Sequence, residues 1–312
     1  MKYTIGFYNL ENLFDTQDHP ELLDDDFTPD GFKNWTEERY QNKLFKLGRA
    51  IAHLGEGSAT DLPVLLGMAE VENETVIADL LKSKPLQGKA IDYIHFDSPD
   101  ERGIDTALCY HPEYFSPDSQ EALPVLIYEE DGRRDYTRDI LYVSGHMNGE
   151  RVHVFVNHWP SRRDGDVATA PKRLQAAQTL QGFIEGLRQE EEHPNCILMG
   201  DFNDDPFSDS IVYLQQALNL HNPMRRLLSP EQGSAKYKDQ WMLFDQILLS
   251  HTFLNSESGT HRFDGADIMN PEFLQEWKEP FKGKPFRTYA GRNYLGGYSD
   301  HFPVRVTLKY IR

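Results

Sequence analysis

The sequence predicts an α/β fold, and three observations carry that expectation. Short apolar runs such as Val64-Leu65-Leu66 and Ile197-Leu198-Met199 have the length and character of buried strands. Between them lie segments whose apolar residues recur at three- and four-residue spacings, as amphipathic helices require. Several strand-like runs stop abruptly in Asp, Asn, Glu or His, and open α/β sheets carry their chemistry at strand ends. The 312 residues, 39% apolar, can fill one large core. The length falls between one big α/β domain and two small ones, and the chain is read as one domain over residues 1–312.

The formal charge is -18. A protein that grips long duplex DNA by neutralising many phosphates is usually basic, so any nucleic acid is held locally or the substrate is small. Bound metal ions would offset part of the acid. No run of 18 apolar residues occurs, which predicts no membrane span. The opening Met1-Lys2-Tyr3-Thr4-Ile5-Gly6-Phe7 reads as a strand and not as a signal peptide, so a cytoplasmic location is expected. Cys109 and Cys196 both sit in apolar runs and are expected to be buried free thiols.

Taken in order, residues 3–9 alternate as a strand and lead into Asn9-Leu10-Glu11-Asn12. The acidic segment from about 15 to 35, with Asp24, Asp25 and Asp26, reads as an exposed loop. A helix follows over about 37–54. Thr36 is its N-cap, and Tyr40, Leu44, Leu47, Ile51 and Leu54 form one apolar stripe. A second buried strand, 63–71, ends in Glu70-Val71-Glu72-Asn73, ahead of a short helix near 74–83. Strands are expected near 91–96, 105–111 and 122–128. Two more, near 138–147 and 151–158, are joined by Asn148-Gly149, a strong hairpin signal. The second of these ends in Asn157-His158-Trp159-Pro160-Ser161-Arg162-Arg163.

A helix from about 171, opened by Pro171, runs to 188. Ile197-Leu198-Met199-Gly200-Asp201-Phe202-Asn203-Asp204 is then a buried strand that breaks at Gly200 into an acidic turn. A helix is expected near 208–218 and a strand at 243–249 with Asp245 embedded in it, which is costly unless that acid is paired. Residues 255–298 read as a long loop with a short helix near 271–278. The last strand, 304–310, follows Tyr298-Ser299-Asp300-His301.

Five strand ends thus carry groups able to bind a cation or move a proton. They are Asn9 and Glu11, Glu70, His158, Asp201 and Asn203, and Asp300 and His301. Each alone is ordinary turn chemistry, but their joint occurrence is not. Oxygen ligands without a cysteine set suit Mg²⁺ or Mn²⁺ better than zinc.

Phe7-Tyr8-Asn9-Leu10-Glu11-Asn12, Ala69-Glu70-Val71, Asn157-His158-Trp159, Gly200-Asp201-Phe202-Asn203-Asp204 and Ser299-Asp300-His301 together resemble the ordered motifs of the endonuclease/exonuclease/phosphatase superfamily, whose members include DNase I-like nucleases. The resemblance spans residues 3 to 309. It implies a four-layered sandwich of two mixed β-sheets flanked by helices, and metal-dependent hydrolysis of a phosphoester. By motif, Asn9, Glu11, Glu70 and Asp300 would surround the metal. His301 would contact the scissile phosphate or transfer a proton, oriented by Asp245. Asp201 would orient or deprotonate water, Asn203 would hold a phosphate oxygen, and His158 would stabilise phosphoryl charge with Asp105 as its partner.

The basic residues Arg162, Arg163, Lys172 and Arg173 follow the His158 motif and could hold a second phosphate or merely form a solvated loop and helix start. A nuclease or related phosphodiesterase is the leading expectation. A phosphomonoesterase on a small polyphosphorylated molecule and a non-catalytic binding module are the alternatives. The expected partner is a phosphoester, nucleic acid among the candidates, with no membrane and a monomeric state.

Overall fold

The computed structural model describes residues 1–237 and 239–312. Its main strands, in chain order, are β1 (Lys2–Leu13), β2 (Leu65–Val71), β3 (Asp92–His95), β4 (Asp105–Tyr110), β5 (Phe115–Leu123), β6 (Ile140–Met147), β7 (Glu150–His158), β8 (Cys196–Asp201), β9 (Leu220–His221), β10 (Asp245–Ser250), β11 (His261–Ile268) and β12 (Val304–Tyr310). They form two six-stranded sheets, ordered β11-β12-β1-β2-β4-β3 and β9-β10-β8-β7-β6-β5. Both are mixed: β1 runs parallel to β2 and β8 parallel to β7, while the other pairings in the two sheets are antiparallel.

Helices α1 (Glu37–Leu54) and α2 (Glu74–Lys82) lie against the first sheet, and α3 (Asp166–Leu187) and α4 (Asp209–Leu218) against the second. The expected four-layered α/β sandwich is what the chain forms. Strand alternation divides the core. Val154, Val156, Ile197, Met199, Ile247 and Leu249 join the first sheet and α1 in one apolar cluster. Phe155, Cys196, Leu198 and Leu248 point the other way, onto Ala176, Leu180, Ile211 and Leu214 of α3 and α4. The sheets press closely enough that a Cβ on Gly67 would lie 2.6 Å from Met199 Sδ.

Several expectations need correction. The strand placed at 122–128 is β5, Phe115–Leu123, an edge strand whose middle is polar and exposed. Edge strands lack the apolar run that marks buried ones. The loop expected over 255–298 contains β11, another edge strand, and the helix near 271–278 is only a turn at Glu272–Leu274. Helix α3 begins at Asp166, so Pro171 sits inside it. Ion pairs from Arg162 and Arg173 to Asp166 anchor the extra turn. Asp245 is not embedded in a strand but opens β10. Asp24 is buried, where a solvated triplet was expected. Cys109 and Cys196 are buried and free. Among the described residues no helix is long and apolar enough to cross a membrane.

Candidate active site

The functional residues stand where the apolar seam between the two sheets reaches the surface. On β7, β8 and β10, the residues next in the inward alternation after Val156, Met199 and Ile247 are His158, Asp201 and Asp245. Register then sets these three side by side, with Asp201 paired to His158 on one flank and to Asp245 on the other. On β1 the inward residue after Phe7 is Asn9, whose amide nitrogen donates across the seam to Asp201 Oδ2 at 3.0 Å and to Glu70 Oε1 at 3.3 Å. The rim is thus a continuation of the core pattern in polar residues.

Backbone irregularity aims the first sheet's acids. Glu11, Asn12 and Glu70 have φ of 52°, 53° and 62°, and the pairing of β1 and β2 shifts register between Asn9 and Leu13. A left-handed non-glycine residue costs about 1–2 kcal/mol, and such strain clusters at functional sites. Here it turns the Asn12 amide onto Glu70 Oε2 at 2.8 Å. On the second sheet, Asn203 at φ 49° closes the turn after β8, and its N–H donates to Asp201 Oδ1 at 2.9 Å. Gly200 is required there, because a Cβ would lie 2.4 Å from the Asn157 carbonyl oxygen.

The two histidines take opposite electrostatic settings. His301 Nδ1 lies 2.7 Å from Asp245 Oδ2 and 4.0 Å from Asp201 Oδ2. Burial alone would lower its pKa, but Asp245, Asp201 and Asp300 together raise it well above the usual range. His158 Nε2 lies 3.9 Å from both Glu70 Oε1 and Asp201 Oδ2. Burial, then the nearby charges of Arg138, Arg102 and His301, push it well below the usual range. Burial, partly offset by His301, pushes the Asp201 carboxyl up to about 6.

Glu11 and Asp300 meet a cationic edge that was not legible in the sequence. Glu11 accepts from the Thr288 N–H at 2.6 Å and faces Lys43 Nζ at 3.9 Å and Arg287 Nε at 3.6 Å. Arg287 also holds Asp300 at 2.9 Å. Lys43 is fully buried, and burial lowers it to about 8 despite Glu11 and Asp300. Ser234 was also missed; its hydroxyl donates to Asp245 Oδ2 at 2.5 Å, fixing the partner of His301.

The description "Endonuclease/Exonuclease/phosphatase family" matches residues 4–310. The chain belongs to this family. No curated protein sequence matches it. Among solved structures it is similar to the human Nocturnin catalytic domain with bound sulfate (TM-score 0.60, 15% identity, covering 99% of this chain and 94% of that one). It is similar to a mannosyl-6-phosphatase from Bacteroides thetaiotaomicron (0.60, 16%, 99% and 100%). It is also similar to D. rerio TDP2 complexed with single strand DNA product (0.56, 13%, 99% and 99%). At these identities the likeness is one of fold.

Against this family frame, the sequence-derived site divides cleanly. Asn9, Glu70, His158, Asp201, Asn203, Asp245, Asp300 and His301 gather at one rim, and Asp245 is the partner of His301 as expected. Asp105 is not the partner of His158. Its Oδ2 faces His95 Nε2 at 3.5 Å, and Oδ1 accepts from the Ser98 N–H at 3.0 Å. The expected pairing fails because β3 pairs with β4 and brings His95 and Ser98 onto the Asp105 carboxylate.

The basic cluster is also corrected. Arg173 is buried against Asp204 at 2.8 Å and Asp166 at 2.6 Å, so it supports the fold and cannot meet a substrate. Arg162 donates to the Asn203 carbonyl at 2.7 Å and Asp204 at 2.6 Å, and braces the turn after β8. Arg163 alone is exposed without an ion-pair partner. Its charge acts on Arg102, whose charge in turn, with that of Arg138, acts on His158.

The donor set fits a hard divalent cation. Glu70, Asp300 and the Asn9 amide are oxygen donors, and several acids share this rim with few cations. Each carboxylate already has partners: Glu11 meets two backbone N–H groups, Lys43 and Arg287, Asp300 is held by Arg287, and Glu70 accepts from Asn9 and Asn12.

Proposed function

We propose that the protein is a divalent-metal-dependent phosphodiesterase, with nucleic acid as its candidate substrate and Mg²⁺ or Mn²⁺ as its cofactor. One observation carries the reading: two imidazoles, His158 at 3.9 Å and His301 at 4.0 Å, flank a single buried carboxylate, Asp201. Glu70 and Asp300, with Asn9 beside them, would hold the cation, which would supply Lewis-acid neutralisation of phosphoryl charge. His301, kept protonated by Asp245, donates to a phosphoryl oxygen as negative charge develops there. Asp201, with its carboxyl near pH 6, takes a proton from the attacking water.

The Nδ1 of His158 is buried without a partner. The tautomer with hydrogen on Nε2 leaves no donor stranded, so the Nε2–H points at the reacting group. The second amide hydrogen of Asn203 is free for a phosphate oxygen, the first being given to the Trp159 carbonyl at 2.9 Å.

A second reading is a monoesterase on a small polyphosphorylated molecule. Exposed Arg163, near Arg102, and the charge of -18 favour it. A panel of plasmid DNA, single-stranded DNA, RNA, bis-p-nitrophenyl phosphate and p-nitrophenyl phosphate with Mg²⁺ or Mn²⁺ separates the readings, beside an Asp201→Ala control. Diester turnover that vanishes in the control supports the first. Turnover of monoester alone replaces it with the second, and no metal-dependent turnover refutes both.

A further inference from the structure

We propose that His95, Asp97 and Asp105 form a second cation site, separate from the active site, that takes a divalent transition-metal ion of the Zn²⁺ class. One donor atom from each lies within 4.8 Å of the others. His95 Nε2 is buried and has no hydrogen-bond partner, although Asp105 Oδ2 is only 3.5 Å away. That separation exceeds a normal hydrogen bond. It matches the edge of a tetrahedron around an ion with bonds of about 2.1 Å, which is roughly 3.4 Å.

The surroundings suit such an ion. The other Asp105 oxygen is fixed by the Ser98 N–H and hydroxyl, the outer hydrogen bonding that orients a metal-ligating carboxylate. Asp139 shares a small cavity with Asp105, and its Oδ1 is sequestered without a partner. This corner therefore carries more acid than nearby base. Asp97 is exposed, which gives the ion a path in. An imidazole beside carboxylates suits a transition metal better than Mg²⁺.

The site sits at the neck of the loop 96–104. That loop carries Asp100 to Arg138 at 2.9 Å and Arg102 to Asn12 Oδ1 at 2.6 Å, both beside the active site. An ion at the neck would pin both ends of the loop and steady those two contacts.

The test is calorimetric titration of the full chain with ZnCl₂ under saturating MgCl₂. The protein carries Glu70→Gln, Asp300→Asn and His301→Gln, so that neither the rim carboxylates nor the Asp201–Asp245–His301 group competes. The expected result is one equivalent of bound Zn²⁺, weakened tenfold or more by Asp97→Asn. Hydrogen exchange in residues 96–104 should slow with Zn²⁺ in the parent and not in the Asp97→Asn protein. His95→Gln should abolish binding. Should it misfold, the exposed Asp97→Asn variant decides. Absence of binding in the parent, or binding that Asp97→Asn leaves unchanged, overturns the proposal. Neither outcome depends on whether the protein hydrolyses phosphoesters.

Discussion

The two flanks of Asp201 differ more than their residue types suggest. Each presents a histidine to the same carboxylate, at 3.9 Å on one side and 4.0 Å on the other. On the β10 side, Asp245 and Asp300 surround His301 and hold it charged. On the β7 side, Arg138 and Arg102 stand behind His158 and keep it neutral. Neighbours therefore assign the roles: one imidazole to meet developing negative charge, the other to donate a hydrogen bond as a neutral group.

The largest expected effects come from breaking the charged flank. His301→Ala should lower turnover of bis-p-nitrophenyl phosphate by about 10²–10⁴-fold, the range for loss of a positioned proton donor. Asp245→Asn keeps the shape but removes the charge that raises His301. Activity that needs protonated His301 is lost as pH rises through its pKa. The alkaline limb of the pH–rate profile should therefore move to lower pH in Asp245→Asn. A profile that stays in place would show that Asp245 only positions the ring.

The arginines separate structure from substrate on the other flank. Arg173→Ala removes one of the two guanidinium partners of Asp204, Arg162 remaining at 2.6 Å, and should cost about 1–3 kcal/mol in denaturant unfolding. Arg163→Ala should change stability by no more than about 0.5 kcal/mol, yet raise KM for an anionic substrate. Equal stability losses in the two variants would contradict the division drawn here.

A smaller effect tests burial away from the site. His153 lies between Tyr142 and Glu191, and burial lowers its pKa despite the carboxylate. A histidine with a depressed folded pKa favours the unfolded chain once protons bind there. Stability should therefore fall as pH drops below about 6.5. His153→Gln should flatten that part of the stability curve, as followed by thermal unfolding across pH.

What could be read from the sequence was what alternation and strand ends encode. His158 and Asp201 continue inward stripes of valine, isoleucine and methionine, so their place followed from strands that were themselves legible. Edge strands β5 and β11 were not, because one face meets water and their polar residues resemble loops. The partner of Asp105 was missed because pairing of β3 with β4 brings it to His95, a contact that neither local pattern announces. Lys43 read as an ordinary helix position and Arg287 as part of a loop. Only the packing of α1 and the 286–298 segment beside β1 turns them on Glu11.

The most direct measurement is ¹⁵N NMR of the histidine rings in metal-free protein at pH 7, assigned through His158→Gln and His301→Gln. The prediction is a doubly protonated His301 beside a neutral His158 that carries its single hydrogen on Nε2. Two rings in the same protonation state, or a charged His158 beside a neutral His301, would contradict the account.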